Sequence, residues 1–217
     1  GTTITKDTAM SMSQSYEFGV AGTGTVLLGY GVNSAAVGYM KYEGLKSETY
    51  YETSFGKGEE IADYAINYKV VESEDSTPKD VSVYYYGLGY ERANGTSVTK
   101  DSAMSMSQSY KWSTFVGIDK VEEDVPNGVE AVAYGVKAAN VGYKMYRDLE
   151  SETYYYTGFG KGEEIADYAI NYEVVAGTNS TPKDVSVYYY GLGYERAKVG
   201  TTITKDTAMS MSQSYEF

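Results

Sequence analysis

From Glu59 to Val71 apolar and polar side chains alternate. Ala62, Tyr64, Ile66, Tyr68 and Val70 fall in one phase, and Asp63, Asn67 and Lys69 in the other. A period of two marks a β-strand with one apolar and one polar face. The pattern recurs with Ala166, Tyr168, Ile170, Tyr172 and Val174 against Asp167, Asn171 and Glu173, so that Lys69 becomes Glu173 within the polar phase. In the last segment Met209, Met211, Tyr215 and Phe217 oppose Ser210, Ser212, Ser214 and Glu216, and Gln213 alone interrupts the apolar side. Between Val81 and Arg92 the phases are mixed: Tyr84, Tyr86, Leu88 and Tyr90 stand against Val83, Tyr85, Gly87 and Gly89, which leaves the faces unassigned.

Breakers separate these runs. Gly56-Lys57-Gly58 and Asn94-Gly95 are compact turn signals between strands, while Glu72 to Asp80 and Val121 to Gly128 read as longer acidic loops. The tract Val26 to Tyr42 changes phase near Asn33, as its counterpart does near Lys137 to Asn140, which implies a tight turn in each. About twelve clear strands result, or about sixteen if short weak ones are included.

The chain is an internal duplication. Gly1 to Phe18 returns letter for letter as Gly200 to Phe217, and an edited third copy runs from Gly95 to Trp112. Gly56 to Tyr68 equals Gly160 to Tyr172, and Ser76 to Ala93 equals Ser180 to Ala197. The repeat is roughly a hundred residues, longer than a solenoid unit, so each copy must hold several strands. The expected organisation is one β-barrel domain over 1–217, with repeats at about 1–94 and 95–199 and a further copy of the first strand at 200–217.

Alternation alone does not say which face is inside. A sandwich turns its apolar phase into a core, whereas an outer-membrane barrel turns it to lipid and keeps the polar phase in its lumen. Composition favours the barrel. The chain has 26 Tyr against 5 Phe, and Tyr suits surfaces that are apolar at one end and wet at the other. Strands of roughly ten residues match a bilayer, and the polar phase lacks a bulky second core set. The expected fold class is therefore all-β: an antiparallel transmembrane β-barrel of about 12 to 16 strands built from two similar halves.

Charge and residue usage narrow the function. The formal charge of −12 opposes nucleic acid and anionic membrane surfaces. With no Cys and no His, disulfides, thiolate metal sites and the usual general base are excluded. Apolar runs are far too short for a membrane helix, and no signal-peptide pattern opens the sequence, so a leader is expected to be absent or already removed. Gly56-Lys57-Gly58-Glu59 is too short for a phosphate loop. Glu72, Glu74 and Asp75, and Glu122, Glu123 and Asp124, lack the spacing of a calcium loop and read as solvated charge. No cofactor or metal is expected. Only a carboxylate pair remains for acid–base work, and the reading is of a protein that is not an enzyme.

The closing Tyr215-Glu216-Phe217, with the strand styles Tyr85-Tyr86-Gly87-Leu88-Gly89 and Asn140-Val141-Gly142-Tyr143, resembles Gram-negative outer-membrane porins, particularly the alphaproteobacterial general type. The resemblance implies a homotrimer of about sixteen-stranded barrels in the bacterial outer membrane, each with an inward loop forming a constriction. This sequence departs from it in showing no long inserted loop, in its modest length and in its near-identical halves.

On that reading Glu52, Asp63, Asn67, Lys69, Asp167, Asn171 and Glu173 are the pore-lining candidates, and Tyr64, Ile66, Tyr68, Tyr168, Ile170 and Tyr172 face lipid. Glu91 with Arg92, and Glu195 with Arg196, would add a charge ladder or an interfacial anchor. The expected function is passive diffusion of small hydrophilic solutes and ions, with a preference for cations. The alternative is a secreted repetitive β-rich structural or adhesive surface protein whose copies stack or associate edge to edge. A carboxylate-dependent barrel enzyme has the least support.

Overall fold

A computed structural model describes residues 4–17, 44–71, 76–112, 123–124, 144–145, 148–175, 179–197 and 202–217. The phase changes expected in 26–42 and at 137–140, and the acidic residues at 72–75 and at 122, lie outside them. The chain is all-β and antiparallel, with no α-helix among the described residues. Its strands are β1 (Met12–Tyr16), β2 (Leu45–Glu52), β3 (Ile61–Lys69), β4 (Thr77–Tyr86), β5 (Met104–Lys111), β6 (Glu123–Asp124), β7 (Lys144–Met145), β8 (Leu149–Tyr156), β9 (Ile165–Glu173), β10 (Thr181–Tyr190), β11 (Glu195–Arg196) and β12 (Met209–Glu216). The acidic stretch expected as loop from Glu72 to Asp80 is shorter than that, because β4 already begins at Thr77. Among the described residues the pairings do not close a barrel.

The chain divides into two compact units, Gly1–Ser82 and Val83–Phe217, with the boundary inside β4 rather than between the repeats. In the first unit β1 pairs with β2 and β2 with β3, both antiparallel. In the second, β5 pairs with β8, β8 with β9, β9 with β10, and β10 with β12. The short β6 and β7 pair with each other.

Turn chemistry follows the breakers. Gly56 and Gly58 adopt φ of 93° and 82°, and Gly160 and Gly162 repeat this at 96° and 80°. Backbone bonds from Gly56 N to Thr53 O and from Glu59 N to Gly56 O close the link between β2 and β3. A side chain at these positions would be strained in the left-handed region, which glycine occupies freely. Gly95 N donates to Arg92 O at 2.8 Å, so Asn94-Gly95 also turns as expected.

Strict alternation fails at one residue in each copy. Tyr154 lies opposite Tyr168 and Tyr155 opposite Ala166, leaving Asp167 as the extra residue of a bulge; Asp63 takes the same place between Tyr50↔Tyr64 and Tyr51↔Ala62. Directly opposed residues share a face, and Tyr154 and Tyr155 are consecutive, so Ala166 lies on the face opposite Tyr168. The single apolar phase read from Ala62 to Val70, and from Ala166 to Val174, is thus two phases joined at the bulge. A second irregularity follows Pro182, which has no N–H to give the ladder: pairing with β9 skips Lys183.

The faces left unassigned between Val81 and Arg92 are settled by burial. Val81 and Val83 are fully buried, the strand stops at Tyr86, and Leu88 stands at 95% exposure in the turn that follows. In the second unit the core gathers Met106, Tyr154, Ile170, Val185 and Val187, with Tyr85, Tyr168, Tyr172, Tyr189 and Tyr215 packed against it. Each buried valine or isoleucine contributes about 1.5–3 kcal/mol. The tyrosine rings cover these aliphatic side chains while their hydroxyls reach polar partners, which accounts for the preference for Tyr over Phe.

Candidate functional site

The register of β5, β8 and β9 brings a carboxylate into the apolar face. Glu152 lies between Gln108 on β5 and Ile170 on β9 and is 6% exposed. It accepts hydrogen bonds from Tyr172 Oη at 2.6 Å and Gln108 Nε2 at 2.6 Å, and a longer one from Tyr154 Oη at 3.4 Å. Gln108 Oε1 in turn accepts from Tyr85 Oη at 2.6 Å and Tyr110 Oη at 2.7 Å. Burial raises the Glu152 carboxyl above its ordinary range, and the donors from Tyr172, Gln108 and Tyr154 partly oppose that rise. Burial, reinforced by the nearby Glu152 charge, holds the Tyr154 hydroxyl protonated well beyond the usual tyrosine range.

The first unit builds the same cluster. Glu48 accepts from Gln14 Nε2 at 2.7 Å, Tyr68 Oη at 2.7 Å and, more weakly, Tyr50 Oη at 3.5 Å, and Tyr16 Oη donates to Gln14 Oε1 at 3.0 Å. Beside each carboxylate two cross-strand tyrosines stack: Tyr50 on Tyr64 and Tyr154 on Tyr168, both with centroids 4.5 Å apart. Chemically each cluster is a cross-strand clamp. In each, the carboxylate accepts from neutral hydroxyl and amide donors on neighbouring strands.

The residues singled out by alternation separate into different environments. Asp167, freed from the ladder by its bulge, forms a bidentate pair with Arg196, whose Nε and Nη2 lie 2.9 and 2.6 Å from its two oxygens. The side chains are 6% and 11% exposed, and the guanidinium lies 5.8 Å from the Tyr168 ring centroid. Asp167 therefore meets the surroundings of Tyr168 rather than those of Asn171. Arg196, expected as a ladder or anchor, is the buried partner of Asp167. Asp63 occupies the corresponding bulge.

Asn171 donates to Asp184 Oδ1 at 2.6 Å and Ser186 Oγ at 3.4 Å, and Asn67 donates to Asp80 and Ser82. These form a polar ladder on the other face, continued from Ser186 to Ser214 at 2.9 Å. Lys69 and Glu173 are exposed at strand ends. Glu52 caps a turn by accepting from Ser54 N at 2.8 Å, which lowers its carboxyl below the ordinary range.

Of the six residues expected against lipid, Tyr64, Ile66 and Tyr68 share their face with Glu48, and Tyr168, Ile170 and Tyr172 share theirs with Glu152. Ile170 is buried among protein side chains, and Tyr68 and Tyr172 bond to the carboxylates.

Sequence reasoning missed Glu48, Glu152, Gln14 and Gln108. The signal was Gln213 and its counterparts, which recur in the apolar phase of all three copies and read as an interruption rather than as a partner. Among the described residues no cluster of acidic side chains could hold a metal ion, and no helix is long and apolar enough to cross a membrane. Comparison with protein-family models, curated proteins and solved structures gives no match.

Proposed function

We propose that the chain is a repetitive β-sheet protein with a structural or adhesive role at a surface. The observation that carries this reading is the recurrence of one carboxylate–amide–tyrosine clamp in both units, with the same partners at nearly the same distances. A motif that returns with each repeat serves the repeat, as in arrays whose stability sums over units and their interfaces. The clamp also puts a buried carboxylate on the face that a barrel would turn to lipid, where an acidic side chain is unfavourable. Fractionation in detergent-free buffer tests the reading: a folded, β-rich, soluble protein is expected, and one that stays soluble only in detergent overturns it.

A second reading, favoured by the four strands of five residues or more that each repeat holds among the described residues, is a closed outer-membrane barrel. An even number keeps successive copies in the same orientation across a bilayer. That protein would be a porin, acting as a homotrimer in outer-membrane lipid and passing small hydrophilic solutes and ions. Planar-bilayer conductance with a cation-selective reversal potential is its test, and absence of conductance removes it.

A further inference from the structure

The geometry points to a second copy of this chain as the partner: β12 of one copy replaces β1 of another, joining the two through β12 and β2. The inference rests on the structural-protein reading.

The chain shows one strand in three states. β5 lies between the Val83–Tyr86 end of β4 and β8, with Ser105 Oγ and the Gln108 amide oxygen bonded to Tyr85 on one side and the register Met106↔Tyr154, Ser107↔Thr153, Gln108↔Glu152 on the other. β1 uses the second of these edges: its register Met12↔Tyr50, Ser13↔Thr49, Gln14↔Glu48 is that of β5 with β8. β12 uses the first, pairing Val185↔Tyr215, Val187↔Gln213 and Tyr189↔Met211 with β10. Since segments 1–18 and 200–217 are identical, whatever β1 offers to β2 is also offered by β12.

Burial differs among the three copies. In β5, flanked on both sides, Met106 and Tyr110 are each 7% exposed and Gln108 is 1% exposed. In β12, Gln213 is exposed and Met209 is 56% exposed. Gln213 accepts from Tyr215 Oη at 2.6 Å but meets no carboxylate among the described residues. Replacing β1 by β12 on β2 exchanges identical backbone bonds, and Glu48 of the second copy meets Gln213 as Glu152 meets Gln108, in place of the Gln14 bond that β1 gives up. The expected intermolecular register is Met211↔Tyr50, Ser212↔Thr49 and Gln213↔Glu48. Strand exchange of this kind is a low-cost route to association, and because the two surfaces differ the contact is head-to-tail and propagates rather than closing as a dimer.

Because the chain has no cysteine, introduced thiols report the contact. Full-length chains carrying Ser212→Cys are mixed with chains carrying Thr49→Cys under mild oxidation. The expected result is a mixed disulfide-linked pair, several-fold more abundant than that from Ser210→Cys with Thr49→Cys, which is out of register. On the unmodified chain, sedimentation should show concentration-dependent oligomers that a synthetic peptide of segment 200–217 shifts back toward single chains. A folded, soluble protein that stays single at all concentrations, or oligomers indifferent to the peptide, overturns the exchange and leaves the structural reading standing. Preferential cross-linking of Ser212→Cys to Ser13→Cys overturns it in favour of direct edge-to-edge pairing. A requirement for detergent instead removes the structural reading itself.

Discussion

Replacing Tyr172 by Phe removes the hydroxyl bonded to Glu152 and leaves the ring that packs against the core cluster of the second unit. At 2.6 Å that bond has the length of a charge-assisted O–H···O contact. Removing a donor to a buried charged group costs about 1.5–3 kcal/mol, against about 0.5–1.5 kcal/mol for a neutral bond. Because burial raises the Glu152 carboxyl, the larger cost should appear above its folded pKa, where the group is charged, and shrink below the ordinary value of 4.5, where it is protonated in both folded and unfolded chains. The assay is urea unfolding followed by Trp112, the single tryptophan, which directly follows β5. Tyr215→Phe supplies the comparison, since it removes a hydroxyl bonded to exposed Gln213 at the same 2.6 Å, and should change stability by no more than about 0.5 kcal/mol. In a Glu152→Gln background the Tyr172→Phe cost should fall to the neutral range. If Tyr172→Phe costs no more than Tyr215→Phe, or the same at acid and neutral pH, the buried clamp is not what ties β8 to β9.

Glu152→Gln should also flatten part of the pH dependence. A carboxyl raised on folding contributes stability that is complete below its unfolded pKa and lost as pH rises through its folded one, so wild type minus variant should decline from acid toward neutral pH; a difference that grows is the wrong sign. Arg196→Met leaves Asp167 buried without its partner and should cost about 3–5 kcal/mol, most of it recovered in the double variant Asp167→Leu/Arg196→Met; a loss below about 1 kcal/mol by urea titration would count against the buried pair. Gly160→Ala meets no steric obstacle but forces a side chain to φ near 96°, so it should cost about 1–2 kcal/mol, whereas a neutral result would mean that the turn relaxes.

The strands β3, β9 and β12, the antiparallel all-β class and the Gly56-Lys57-Gly58 and Gly160-Lys161-Gly162 turns were legible in the sequence, because period-two patterning and left-handed glycines are local properties. The repeat was legible because identical segments fold alike: β2, β3 and β4 return as β8, β9 and β10 with the same bulge. What alternation could not reveal is set across strands. A bulge is a mismatch between two partners, so the departure of Asp63 and Asp167 from the polar phase appears only when Tyr50↔Tyr64 is followed by Tyr51↔Ala62, and Tyr154↔Tyr168 by Tyr155↔Ala166. The carboxylate clamp needs Gln108, Glu152 and Tyr172 from three strands, and within any one of them each looks like a misplaced or ordinary residue. Which edge each copy of the repeated strand uses was decided by tertiary pairing alone, since β1 and β12 have the same residues and differ only in their neighbours.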